Sequence, residues 1–264
     1  MGENARAAPL AVVIPCFRAA TSIVPVIGAI GDGVSRIYVV DDGCPDATGK
    51  TVREAVRDPR VVVLHNDRNL GVGGAVKRGY SEALRDGAAV VVKLDADGQM
   101  DPAAIPRLIE PILAGRAEYS KGNRFAPSRL MPPAARRGSR SMPALRKSGN
   151  RLLSVLHKVV TGYWNVADPV NGFTAVRASV LRRIDLDRVA DCWFFEMDML
   201  CHLNLIGARV EDVPLPAFYC KEVSNLRLGR VLGSFPALAL NRLARRLWVK
   251  HLAPRTPALT QRPE

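Results

Sequence analysis

Through the first hundred residues, short apolar runs alternate with stretches of mixed polarity. "LAVVIP" (10–15), "RIYVVDD" (36–42), "RVVVLHN" (60–66) and "AAVVVKLD" (88–95) are rich in β-branched residues and almost continuously apolar. Strands covered on both faces have this character, so each is expected to form a buried strand. Between them lie "TSIVPVIGAIGD" (21–32), "DATGKTVREAVRD" (46–58) and "GVGGAVKRGYSEALRDG" (71–87), all punctuated by Gly, Pro or Asp. The last two carry a helical period. The alternation predicts an α/β fold whose N-terminal half is a doubly wound, mainly parallel sheet. Ligands of such sheets bind outside the carboxyl ends of the strands. Two acidic pairs, Asp41–Asp42 and Asp95–Asp97, fall at such ends.

The pattern changes over residues 116–158, which hold eleven Lys or Arg and a single acid, Glu118. The centre of this stretch is rich in Pro, Ser and Arg, which suggests a basic loop crossing the mouth of the site. An apolar and acidic block, "WFFEMDMLCHLNLIGARVEDVPLPAFY" (193–219), follows, and then a tail of mixed apolar and basic positions (227–252). No internal repeat is present.

A chain of 264 residues with 48% hydrophobic and 24% charged residues suits a folded protein with a sizeable core. Its net charge of +13 points to an anionic partner: nucleic acid, phosphorylated small molecules or a lipid surface. The five cysteines, Cys16, Cys44, Cys192, Cys201 and Cys220, are scattered and form no CxxC pair, which argues against a disulfide framework or zinc site and fits a reducing cytosol. His65, His157, His202 and His251 have no partner at metal-ligand spacing and read as structural or surface residues. The N-terminus shows no secretory signal, and no window reaches 18 uninterrupted apolar residues, so no spanning helix is expected.

The strongest chemical pattern is "KLDADGQ", where an apolar strand surfaces in Asp95, Asp97 and Gln99. Two carboxylates and an amide suit a hard divalent cation, Mg²⁺ or Mn²⁺, bridged to substrate phosphates. A solvated Asp-Gly turn reads equally well on spacing alone. In "VVDDGCPDAT" (39–48), Asp42 is placed to accept a hydrogen bond from a ring N–H or a ribose hydroxyl, while Asp46 and Thr48 read as a helix cap. "NLGVGGAVKRGY" (69–80) departs from the dinucleotide pattern, since Val76 stands at the last glycine position. Its glycines are assigned to a tight loop leading into a helix, with phosphate contact as the lesser alternative.

Taken in order, "VVIPCFRA", "VVDDGCPDAT", "NLGVGGAVKRG", "KLDADGQMDP", "KGNRF" and "DPVNGFTAV" resemble the inverting nucleotide-sugar glycosyltransferases of family 2, most of all the polyprenyl-phosphate branch that includes dolichol-phosphate mannose synthases. The resemblance covers roughly residues 10–225. It implies a GT-A (Rossmann-like) fold, a divalent metal, and a UDP- or GDP-sugar donor. By resemblance, Asp95, Ala96 and Asp97 belong to the metal and diphosphate motif, and Gln99 matches a third metal ligand. Pro15, Phe17, Asp42, Gly71 and Lys77 fall in the nucleotide-binding segments. Arg124 matches the arginine that meets phosphate. Lys221 and Ser224 in "CKEVSNLRLG" match a phosphate-binding segment, in which Lys221 replaces an arginine and Asn225 a lysine. "PCFRA" lacks the family's base-contacting acid, which leaves UDP against GDP open.

Displacing a nucleoside diphosphate builds negative charge that a cation with Arg or Lys can stabilise. An alcohol acceptor also needs a carboxylate base, and Glu196 and Asp198 in "FFEMD" are the candidates; both also suit the first turn of a helix. A phosphate acceptor is already ionised, and Glu196 would then orient it. Asp168, Asn171 and Phe173 either line the acceptor side or form a Pro-Gly turn with Phe173 in the core.

The expected organisation is an N-terminal tail (1–9), a glycosyltransferase domain (10–225), a C-terminal amphipathic segment (226–252) and a flexible tail (253–264). On a helical wheel, residues 235–252 set Leu and Trp248 opposite Arg242, Arg245, Arg246 and Lys250, as in an interfacial helix or in one packed on the domain. The preferred reading is transfer to a polyprenyl phosphate or other lipid at the inner face of the membrane, the protein being peripheral or leaning on a membrane protein. A soluble transferase acting on a saccharide or small-molecule hydroxyl is the alternative. Nucleic-acid binding lacks any supporting module.

Overall fold

The computed structural model describes residues 9–125, 155–215 and 228–252, with the side chains of the last segment from residue 236 onward. The four expected strands form as β1 (Leu10–Cys16), β2 (Arg36–Asp41), β3 (Val61–His65) and β4 (Val90–Lys93). The three intervening helices are α1 (Ile23–Gly28), α2 (Thr48–Ala55) and α3 (Gly71–Arg85). After α4 (Ile105–Leu113) come β5 (Tyr119–Asn123), a helical stretch α5 (residues 155–161), β6 (Thr174–Arg177) and α6 (Ala178–Leu181). The chain continues through α7 (Phe195–Leu205), β7 (Val210–Pro214) and α8 (Leu228–Leu247), with a π-helical turn at Trp248–Leu252.

The seven strands form one sheet in the order β3-β2-β1-β4-β6-β5-β7. Strand β6 runs antiparallel to both neighbours, and the other pairings are parallel. The carboxyl ends of β1, β2, β4 and β5 therefore share one edge, and the chain enters β6 from that same edge.

Strand β1 shows why the sheet is covered on both faces. Val12, Ile14 and Cys16 join one core with Ile23, Ile27 and Leu108, while Ala11 and Val13 join a second with Val76, Tyr80 and Leu200. Alternate side chains of a strand point to opposite faces, so a continuous apolar run feeds two cores at once. Strands β5 to β7 carry no comparable run. "YSKGN", "TAVR" and "VEDVP" are short or interrupted by charge, and their pairing is a tertiary outcome.

Helix α8 lies against α7. Ala239 and Leu238 pack with Val160, Phe194, Met197 and Cys201. Arg242, placed by the helical wheel on the solvent-facing side, turns inward to Asp198, because a buried carboxylate demands a cation. Residues 126–154 (most of the basic loop), Lys221, Ser224, Asn225, and the tails at 1–8 and 253–264 lie outside the described residues.

Candidate active site

Four segments meet at the shared edge: the ends of β1 and β2, the DADGQ turn after β4, the end of β5 with the 168–173 loop, and the first turn of α7. The turn after β4 bends through Gly98 at φ +74°, and the Asp97 carboxylate accepts from the Gln99 N–H at 3.0 Å. Asp95, Asp97 and Gln99 are half-buried, and Ala96 is buried. These side chains fit a hard cation. They supply two carboxylates and an amide, and Mg²⁺ or Mn²⁺ typically completes its shell with water and substrate phosphate. Among the described residues no cluster of three or more His, Cys, Asp or Glu forms a ready-made cage.

Beneath the turn sits Lys93, fully buried at the end of β4. Its Nζ lies 2.5 Å from Asp95 Oδ1, 2.9 Å from Glu196 Oε1 and 3.4 Å from the Gly172 carbonyl. Burial disfavours its charge, but Asp95 and Glu196 outweigh this and hold the ammonium above the ordinary lysine range. Gly172 closes over the group. A Cβ there would stand 2.2 Å from Asp95 Oδ2 and 2.5 Å from Lys93 Nζ, so any side chain at this position would displace the ion pair.

A second buried lysine, Lys121 on β5, donates to the Asn171 carbonyl. Burial pushes its pKa down to about 8; Glu196 and Asp168 oppose the shift, and Lys93 adds to it. Asn171 is pinned from its own side, donating to the Gly122 carbonyl at 2.7 Å and accepting from the Phe173 N–H at 3.0 Å. Phe173 is in the core. Arg124 grips the fully buried Asp168 at two points, Nε to Oδ2 at 2.6 Å and Nη2 to Oδ1 at 2.9 Å. This fork geometry fixes the guanidinium plane at the site edge. Asp212 holds the Asn123 amide at 3.0 Å and the Ala167 N–H at 2.7 Å, and burial raises its pKa to about 6.

The two candidate bases separate. Glu196 faces the site and is paired to Lys93. Asp198, fully buried, accepts from the Ala190 N–H at 2.8 Å and from Arg242 Nη2 at 2.8 Å, with Arg242 Nε 2.5 Å from its other oxygen. Asp198 thus joins α7 to α8.

Several residues matched to the nucleotide segments are engaged within the fold. Asp42 accepts from Asn66 Nδ2 at 2.7 Å and from the N–H groups of Leu70 and Gly71, each at 2.9 Å. Lys77 pairs with Asp191 at 2.6 Å and donates to the Val189 carbonyl at 3.0 Å. The Gly73 N–H is taken by the Asp191 carbonyl at 2.7 Å. A Cβ on Gly73 would meet the Ala190 carbonyl at 2.2 Å, so the glycines serve the seating of the 190–191 loop on α3. Pro15 is half-buried in β1, and Phe17 is exposed beneath the Arg18 guanidinium, 5.4 Å from its ring centre. Asp46 accepts from the Thr48 hydroxyl at 2.7 Å and from the Thr48 N–H at 3.3 Å just before α2, an Asx turn rather than the expected cap, since Ala47 holds the N-cap position and no side chain bonds there.

Lys93, Lys121 and Asp212 were missed as site residues from the sequence. The available signal was a lysine inside an otherwise apolar strand, "VVVKLD", since an unpaired ammonium is not buried.

Comparison with known proteins agrees with this geometry. The glycosyl transferase family 2 model matches residues 11–185. The chain is 32% identical over 226 residues to an undecaprenyl-phosphate mannosyltransferase of Micrococcus luteus, covering 84% of this chain and 88% of that protein. It is 30% identical over 209 residues to a polyprenol monophosphomannose synthase of Mycolicibacterium smegmatis, covering 77% and 75%. Among solved structures, glucosyl-3-phosphoglycerate synthase of Mycobacterium tuberculosis, crystallised with Mn²⁺ and UDP, superposes with a TM-score of 0.62 at 19% identity over 90% of this chain and 80% of that one. Mannosyl-3-phosphoglycerate synthase of Rubrobacter xylanophilus gives 0.65 at 16% identity, covering 96% and 78%. The chain therefore belongs to glycosyl transferase family 2 and is a glycosyltransferase with a GT-A fold.

Proposed function

We propose that the protein transfers a sugar, with inversion, from a UDP- or GDP-sugar to a polyprenyl phosphate or related lipid phosphate, using Mg²⁺ or Mn²⁺. The observation that carries the acceptor class is the Lys93–Glu196 ion pair at 2.9 Å. A hydroxyl acceptor needs a carboxylate to take its proton. Glu196 is occupied by the Lys93 ammonium, and Asp198 is buried under Arg242. A phosphate monoester is already ionised and attacks without giving up a proton. The relatives from Micrococcus luteus and Mycolicibacterium smegmatis are named for polyprenyl-phosphate chemistry, which supports this choice over a soluble hydroxyl acceptor.

In this reading Asp95, Asp97 and Gln99 hold the cation, which when bound neutralises the departing diphosphate. Pro15 and Phe17 border the nucleotide, and Asp42 with Gly71 shapes its loop. Arg124, oriented by Asp168, meets phosphate beside Asn171, and Lys221 and Ser224 extend the phosphate contacts. The acceptor's bilayer places the protein at a membrane surface, as a peripheral protein on the inner face.

The test is a transfer assay with Mn²⁺ and UDP- or GDP-sugars, comparing polyprenyl phosphate with the free polyprenol. Turnover with the phosphate alone is expected, and Glu196→Gln should keep activity within about tenfold. Turnover with polyprenol, lost about 10²-fold or more in Glu196→Gln, would instead establish a general base and a hydroxyl acceptor.

A further inference from the structure

Thirteen large apolar side chains are exposed among the described residues, and nine of them fall in two segments, residues 155–164 and 240–252. Trp164 is 66% exposed, Trp248 56% and Leu252 73%; Val155, Leu156 and Leu247 accompany them. The segments are neighbours. Gly162 and Trp164 line a shallow cavity of about 200 Å³ together with Asn204, Arg246, Lys250 and His251. A Cβ on Gly162 would stand 2.2 Å from Arg246 Nη1, so the start of one segment's turn touches the other's helix.

Charge distinguishes this face from an ordinary apolar patch. Neither segment contains an Asp or Glu, and Lys158, Arg245, Arg246 and Lys250 interleave with the apolar positions. None of these four forms an ion pair among the described residues. The Asn204 amide is buried, and its Oδ1 has no hydrogen-bond partner among the described residues. Arg242 is excluded from the face, since it is turned to Asp198. Exposed tryptophans set among leucines and cations, with no acid, match the boundary between acyl chains and anionic headgroups. A second copy of the chain would bring like charges together.

We propose that residues 155–164 and the C-terminal helix form one docking face for an anionic phospholipid bilayer, with the cavity at Arg246 and Lys250 seating headgroup phosphate. This rests on the lipid-phosphate reading of the active site, which places the acceptor in a bilayer. The cations draw the face to the surface, and the tryptophans and leucines enter the interface. The sequence pattern offered this role, beside packing on the domain, to the tail alone; the fold adds the 155–164 segment.

The full-length protein is expected to co-sediment with vesicles containing phosphatidylglycerol, to shift its tryptophan emission to the blue, and to stay in solution with phosphatidylcholine alone. Trp164→Ser with Trp248→Ser, and separately Arg246→Gln with Lys250→Gln, should each weaken vesicle binding at least tenfold without lowering the melting temperature. Leu252→Ser, at the end of the chain segment, serves if the tryptophan pair melts early. Binding that survives both pairs, or protein that never sediments, overturns the face. So does a concentration-dependent dimer that the tryptophan pair abolishes. Transfer to a detergent-dispersed short-chain polyprenyl phosphate is measured in parallel. Intact transfer without vesicle binding sinks the docking face alone; vesicle binding without transfer sinks the acceptor reading alone.

Discussion

Strands β2 and β4 both end in two carboxylates, and the surrounding backbone treats them in opposite ways. After β2, Asp41 accepts from the Cys44 and Gly49 N–H groups at 2.8 and 2.9 Å, and Asp42 from those of Leu70 and Gly71. Asp41 lies below the ordinary carboxylate value: burial opposes the shift, but the bonds from Cys44 and Gly49 outweigh it. After β4, the chain turns away through Gly98, and Asp95 and Asp97 stay half-exposed at the site edge, one resting on Lys93. The lesson concerns backbone donors. A carboxylate saturated by N–H groups holds a loop, whereas one propped from below by a buried ammonium keeps its outer side for a ligand.

The comparison breaks most sharply at Asp97. If the β4 end is the ligand end, Asp97→Asn should lower turnover about 10²- to 10³-fold with little change in melting temperature, as loss of transition-state charge stabilisation does. Near-normal turnover with Mn²⁺ and donor would return DADGQ to an ordinary turn. Next in size is Lys93→Met, which leaves Asp95 and Glu196 without their cation. Removing one partner of a buried ion pair costs about 3–5 kcal/mol, and partial exposure of Asp95 favours the lower end. Denaturant unfolding checks this, and adding Glu196→Gln should recover part of the loss.

Asp42→Asn sharpens the other side. It should cost about 1–3 kcal/mol, because an amide cannot accept all three hydrogen bonds that Asp42 receives. Donor affinity measured on the folded variant should change far less than in Asp97→Asn; an equal loss in both would make Asp42 a direct nucleotide contact. The last effect belongs to Lys121 and is read only against pH. Its folded pKa of about 8 lies below the ordinary lysine value of 10.5. Between these values the unfolded chain binds the proton that the folded lysine has released. Stability should therefore rise with pH across that window, by at most about 1.4 kcal/mol per unit. Below about pH 8 the burial cost is present in full. Lys121→Met should flatten the rise, and chemical denaturation at pH 8, 9 and 10 would read it.

Much of the N-terminal half was legible because strands β1 to β4 announce themselves locally. A run such as "LAVVIP" carries its own burial, and the helix after each strand carries its own period. DADGQ was legible as a candidate site for the same reason, since two carboxylates and an amide ending an apolar strand are a local event. The C-terminal half was not. Glu196 and Asp198 stand two residues apart and read alike, yet one meets Lys93 across the sheet and the other meets Arg242 from the last helix. Arg242 itself was read as a surface cation, because a helical wheel shows which residues share a face but not which neighbour covers it.

The sequence by itself determined the alternation that builds the sheet, the strand edge where the candidate site lies, and the oxygen-bearing side chains of the β4 turn. These follow from interactions between residues close in the chain. Only the tertiary structure decided which carboxylates are held by backbone N–H groups, that Lys93 joins the β4 turn to Glu196 on α7, and that residues 155–164 lie beside the C-terminal helix. Those outcomes depend on pairings between segments far apart in sequence. A buried charge is satisfied by whichever partner the fold brings within about 3 Å, and no local pattern records which one that is.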